Sequence, residues 1–244
     1  MKNNIIQFLL VLLVSSTSLY AIEPGSAEEK AKGKKWIPTP VEGMPNALII
    51  GDSISIGYTL QVRELLKGKV NVYRPILDGT DQPWNCGHTS SINGGLDRML
   101  KGPKWDVIHF NTGLHDLKRI NRKPGERSDD PTVPTVIPLE NYRQGLEQIV
   151  TRLKATGAKV IFATTTAYVD GVYPCRIPED AVKYNEVALE VMKKHGVMVN
   201  DLYSASLPKL NEWQQKKNVH FNELGKQKLA ELVAESISST CNVQ

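Results

Sequence analysis

The sequence predicts an α/β fold: a three-layer, doubly wound sheet of about five parallel strands with helices on both faces. Three observations carry this. Short apolar runs without polar alternation recur along the chain, as strands buried on both faces require. Between them lie stretches whose apolar residues follow helical spacing, so strand and helix alternate about five times. No stretch repeats another, and the 244 residues suffice for one domain of ordinary size.

The elements follow in order. Residues 1–21 carry one lysine, Lys2, then the apolar run 5–14 and a small, polar tail ending in Ala21. That is the layout of a secretory signal peptide cleaved after Ala21, with an apolar core too short to span a bilayer comfortably. Residues 22–44 are charged and contain Pro and Gly, an N-terminal arm, and residues 45–240 form the domain. Strand one is 47–50, Ala-Leu-Ile-Ile, followed by Gly51, which permits a tight exit, and by Asp52, Ser53 and Ser55, any of which could cap a helix. A helix is expected over 55–67, a strand over 70–73, then a long loop, 74–84, rich in Pro, Gly and Asp. Further helices are expected at 91–100, 139–156 and 179–195, with Gly157 and Gly196 as stops, and a helical stretch at 205–215. Strands are expected at 105–110, 159–166 and 197–201. The final helix is expected to run over 223–237.

Charge and cysteines bound the function. Net charge is +4, falling to +3 without Lys2, and the one basic cluster is 30–35, so nucleic-acid binding has little support. Three cysteines in an exported chain allow one disulfide. Cys86 and Cys175 both sit in loops that follow strands and should share a rim, so they are the expected pair, with Cys241 free. No tight ligand pair such as His-x-x-x-His occurs, so neither metal nor cofactor is expected.

Right-handed crossovers put every strand's C-terminal end on one edge of the sheet. Residues 51–53, 85–87, 113–116, 164–166 and the loop holding His220 all converge there. Open α/β sheets bind ligands at that edge, where helix N-termini offer N–H groups to anions. Ser53 is the candidate nucleophile and His220 the candidate general base. The backbone N–H groups of Ser53 and Gly87 are candidate oxyanion donors.

With Gly51-Asp52-Ser53 at one end and Asn218-Val219-His220 at the other, the chain resembles the SGNH, or GDSL-type, esterase superfamily over roughly residues 45–238. The resemblance implies a flavodoxin-like sheet and assigns the same roles to Ser53, Gly87 and His220. Two departures stand out. The third block, Gly-x-Asn-Asp in the family, reads Gly113-Leu114-His115-Asp116, so His115 takes the position of an oxyanion donor; Asn111 or Asn85 could also supply an amide. The fifth block, Asp-x-x-His, reads Lys217-Asn218-Val219-His220 and lacks its aspartate. A backbone carbonyl, Asp201 or Glu223 is then left to orient His220. Asp52, Asn85, Asn111 and Asp116 are expected to support the site, and Arg74, Trp84, His88 and Arg176 to form a substrate rim. The expected function is an exported serine esterase acting on short acyl esters, acetyl above all, of carbohydrate or another small ester. The alternatives are a carbohydrate-binding relative without activity and a hydrolase of another ester such as a lipid or a sulfate. No nucleic-acid partner and no membrane span after cleavage are expected.

Overall fold

The computed structural model describes residues 35–120 and 128–243; the signal peptide expected at 1–21, the arm up to residue 34 and part of the polar 118–135 loop lie outside them. Among the described residues five strands form one sheet: β1 Asn46–Ile50, β2 Asn71–Tyr73, β3 Val107–Phe110, β4 Lys159–Ala163 and β5 Met198–Asn200. All pairings are parallel, in the order β2-β1-β3-β4-β5. Register is set by pairs such as Leu48 with Ile108 and Ile108 with Val160. The central strands are buried on both faces, as their unbroken apolar runs require, and even His109 of β3 is fully buried. The edge strand β5 leaves Met198 and Val199 exposed.

The helices are α1 Ser53–Leu65, α2 Thr89–Met99, α3 Leu139–Ala155, α4 Pro178–His195, α5 Leu202–Ser206, α6 Leu210–Trp213 and α7 Glu223–Cys241. Helices α1 and α7 pack on each other, and α2, α3 and α4 pack in series. Helix α1 buries Tyr58 and Val62; α3 buries Tyr142, Leu146, Ile149, Val150 and Leu153. Gly196 closes α4 in the left-handed conformation (φ +62°), and Asn242 does the same for α7.

Differences from the sequence reading have local causes. Helix α1 begins at Ser53 rather than residue 55, because Asp52 caps it by accepting from the Ile54 N–H at 2.9 Å. The helical stretch expected at 205–215 is broken into α5, a 3₁₀ turn Leu207–Lys209 and α6; Pro208 in that turn has no N–H to continue a helical ladder. Strand β4 ends at Ala163, and the buried run Thr164–Thr166 leaves the ladder, Thr164 bonding Asp201 and Thr165 bonding Asn185 and the Thr112 carbonyl. Among the described residues no helix is long and apolar enough to cross a membrane.

Candidate active site

The site starts at the turn after β1. An added Cβ on Gly51 would lie 1.9 Å from Asn111 Oδ1, so only glycine lets β1 leave the sheet here. The Gly51 carbonyl accepts from the Cys86 N–H (3.1 Å) and from Arg74 Nη2 (3.4 Å). The 85–89 loop is thereby tied to the turn that carries Ser53. Asp116 ties a third segment in: it accepts from the Thr89 N–H (3.0 Å), Thr89 Oγ1 (2.6 Å) and Thr112 Oγ1 (2.9 Å). Burial pushes its carboxyl up to about 6 in spite of those bonds. Gly113 (φ +139°) passes so close to Thr165 that a Cβ would fall 2.1 Å from its hydroxyl.

The histidine arrives from the other end of the chain. Its loop, between α6 and α7, is stitched by Gln215 N–H to His220 O (2.9 Å) and Asn222 N–H to Trp213 O (2.8 Å). Gln214, nearly buried, donates to Ala167 O (3.1 Å) and Val219 O (3.3 Å) and accepts from the Val169 N–H (3.0 Å), binding this loop to the one after β4. Ser53 Oγ and His220 Nε2 are thereby brought to 2.8 Å of each other. Behind the ring, Nδ1 lies 2.7 Å from Asn218 Oδ1, which also accepts the His220 backbone N–H at 3.1 Å. A backbone N–H can only donate, so the atom facing it is the amide oxygen, and Nδ1 carries the ring proton. That leaves the Nε2 lone pair for the serine hydroxyl. Burial holds His220 below the ordinary imidazole value.

The pair opens into a cleft of about 280 Å³ whose wall includes Asn85, His115, Lys118, Arg176 and Asn218. Two roomier grooves, about 500 and 460 Å³, lie between α2 and α3 and along α1, and contain neither Ser53 nor His220. Burial pushes His115 down to about 4, so the ring is neutral near pH 7. Lys118 Nζ approaches its Nδ1 at a long 3.5 Å; an ammonium only donates, so this contact favours the proton on Nε2.

The family model for GDSL-like lipases and acylhydrolases matches residues 49–228, from the end of β1 into α7. The chain belongs to that family. It is an ester hydrolase. Its fold is that of solved family members: a lipase/acylhydrolase from Enterococcus faecalis (TM-score 0.64, 22% identity, covering 80% of this chain and 96% of that one). An acetyl xylan esterase is similar at TM-score 0.62 and 14% identity, covering 79% and 99% of the two chains. An acetylxylan esterase from Geobacillus stearothermophilus is similar at TM-score 0.60 and 16% identity, covering 82% and 95%. No curated protein matches the sequence.

Against this GDSL-like framework several expected placements need correction. Arg74 is no rim residue: it is buried, bonded to Thr59 Oγ1 (2.9 Å), Trp84 O (2.9 Å) and Gly51 O, and burial pushes its guanidinium down to about 10. Trp84 is not part of the cleft wall; it packs on Gly95 of α2 with the Arg98 guanidinium 4.5 Å above its ring. His88 caps α2, its Nδ1 accepting from the Ser91 N–H at 3.2 Å. Cys86 and Cys175 are not joined, and all three cysteines are free thiols. Cys86 is buried beside Arg74 and Gly51, whereas Cys175 sits among Arg119, Asp129, Asp130 and Asp170, so the two loops turn their thiols to different surroundings. Neither Asp201 nor Glu223 orients His220: Asp201 caps α5 and bonds Thr164 and Ser204, and Glu223 pairs with Lys226.

Of the other expected site residues, Arg176 and Asn85 do line the cleft. The Gly87 N–H (φ +73°) donates to Asn85 Oδ1 at 3.3 Å. Asn111 and Asp52 lie buried at the turn that carries Ser53. Asn218 and Gln214 were missed from the sequence. Asn218 had a readable signal: an Asx side chain characteristically bonds the backbone N–H two residues on, and His220 is two residues on. Gln214 had none. Among the described residues no group of three or more His, Cys, Asp or Glu side chains could hold a metal.

Proposed function

We propose that Ser53 and His220 carry out a two-step ester hydrolysis. Ser53 Oγ attacks the ester carbonyl carbon while His220 Nε2 takes its proton. The tetrahedral intermediate collapses, the C–O bond to the alcohol breaks, and the imidazolium returns the proton to the departing oxygen. Water then attacks the acyl-serine, again losing its proton to His220; the second tetrahedral intermediate collapses, the acyl C–Oγ bond breaks, and the imidazolium returns the proton to Ser53 Oγ as the acid leaves. The backbone N–H of Ser53 and the Nε2–H of His115 are the proposed oxyanion donors, together with the Gly87 N–H, which exchanges its long bond to Asn85 Oδ1 for the substrate oxygen. The observation that carries this reading is the 2.8 Å contact between Ser53 Oγ and an Nε2 whose lone pair is directed to it by Asn218.

The proposed substrates are short acyl esters, acetyl above all, on carbohydrate outside the cell. Support comes from the amide, imidazole and guanidinium side chains in the cleft wall, from the small volume beside Ser53, and from the likeness to two acetylxylan esterases. Export rests on the signal-peptide layout of residues 1–21. The test is acetate release from acetylated xylan, with hydrolysis of chromogenic acetate and octanoate esters alongside. The expected result is that the native protein releases acetate and prefers the acetate ester, and that Ser53→Ala abolishes both. Full activity in Ser53→Ala would remove the nucleophile, and a preference for octanoate would replace the carbohydrate reading with a lipid one.

A further inference from the structure

A serine–histidine pair asks two things of the group behind the ring: to hold the imidazole in the working tautomer, and to offset the charge it gains on taking the serine proton. A carboxylate does both. Here the ring's Nδ1 meets an amide instead. We propose that the two tasks are divided between two positioning residues: Asn218 fixes the tautomer of His220, and the buried carboxylate of Asp52 offsets the imidazolium charge. The inference rests on Ser53 and His220 being nucleophile and base.

The Asn218 half follows from the geometry. Its oxygen receives both the ring Nδ1–H and the backbone N–H of the same histidine, and its nitrogen reaches Gln215 Oε1 at 3.4 Å. The amide is therefore held from both ends and cannot flip to present N–H to the ring. But it is neutral, and it contributes no charge when His220 protonates.

The Asp52 half follows from position and burial. Asp52 precedes Ser53 in the chain, is 1% exposed, and uses Oδ1 to cap α1. Its Oδ2 is buried with no hydrogen-bond partner in the structure. Arg74 lies nearby, but its hydrogen bonds go to Gly51 O, Trp84 O, Thr59 and Ser55. The charges that face His220 are Arg176 from the loop before α4, Lys226 from α7 and Asp52 from the cap of α1. The two cations disfavour the imidazolium; Asp52 acts against them. Asp52 itself is buried, and a buried charge is less screened than one at the surface.

The experiment uses ring ¹⁵N NMR of His220 in the Ser53→Ala protein, which reads tautomer and titration without needing catalysis, and pH profiles of kcat and KM in the proteins that keep Ser53. Asp52→Asn and Asp52→Ser both retain an N-cap acceptor, so each removes the charge while keeping the cap. The expected result is that either lowers the His220 midpoint by about half a pH unit or more, leaves the tautomer in place, and lowers kcat about tenfold with KM unchanged. Asn218→Ala scrambles the tautomer and costs about a hundredfold in kcat. Asn218→Asp raises the midpoint by about one unit and restores most of what Asp52→Asn loses, a non-additivity that a purely structural role for Asp52 would not produce. An unmoved midpoint in both Asp52 variants overturns the charge assignment, and an unchanged tautomer in Asn218→Ala overturns the other half. Should Ser53 resist a fluorophosphonate probe, it is the esterase reading that fails, and the NMR arms still decide this one.

Discussion

His115 stands where the family resemblance expects an amide donor, and its chemistry differs from that amide in a testable way. A neutral imidazole can donate one N–H, and burial keeps this ring neutral far below pH 7. If its Nε2–H faces the developing oxyanion, His115→Ala lowers kcat about a hundredfold with little change in KM, and His115→Asn, which restores an N–H donor, loses much less. Steady-state kinetics on a short-chain ester separates the two variants. Equal losses would place the oxyanion elsewhere in the cleft. At this scale the sequence was a mixed guide. That Ser53 and His220 would meet was legible from the family resemblance and from the convergence of strand ends on one edge. Arg74 and Trp84 were misread because their loop does reach the correct edge, yet the Arg74 side chain is buried and that of Trp84 packs on α2. Where a loop lies follows from topology; where its side chains point depends on packing partners remote in sequence.

At the scale of elements, the turn between β1 and α1 is fixed by close approach rather than by any unusual torsion. Gly51→Ala would drive a methyl group into Asn111 Oδ1, and also to 2.8 Å from Ser55 Oγ. The expected cost is about 2–3 kcal/mol by urea unfolding. Asn111→Ala on its own costs much less, since Oδ1 has no hydrogen-bond partner, and the Gly51→Ala/Asn111→Ala protein recovers a large part of the loss. Strict additivity of the two would show that the clash with Asn111 is not the cause. No such relief exists for Gly225 at the start of α7, where a Cβ would meet the Trp213 backbone oxygen at 2.3 Å. The strands and long helices were legible as elements because their apolar periodicity is strong. The broken 205–215 segment was less so, because the proline in it acts only once the register of the preceding helix is fixed.

At the scale of the whole molecule, buried histidines set how stability responds to acid. Burial pushes His109, at the centre of the sheet, from its ordinary 6.5 down to about 4, and His115 shifts the same way. Between those values the unfolded chain binds protons that the folded one does not, so stability is full above about 6.5 and falls as pH drops toward 4. Asp116 works in the opposite direction. Its folded value is raised from 3.8 to about 6, so the folded protein takes up that proton first and part of the loss is offset below pH 6. The melting temperature is therefore expected to fall between pH 7 and 4, little above about 6.5 and mainly below it. His109→Leu flattens this dependence whatever it does to stability at pH 7. An undiminished slope in that variant would mean that other groups govern acid sensitivity.

The pairing of α1 with α7 has a consequence in time. Helix α1 presents the serine at its first residue, while the imidazole is held by the loop leading into α7, 167 residues later. A ribosome must therefore release the chain beyond residue 220 before the two groups can meet. Nascent chains stalled ahead of residue 220 carry the Ser53 hydroxyl without the imidazole that it meets in the folded chain. The contact between the two groups thus forms only once the chain has been made as far as the loop that leads into α7.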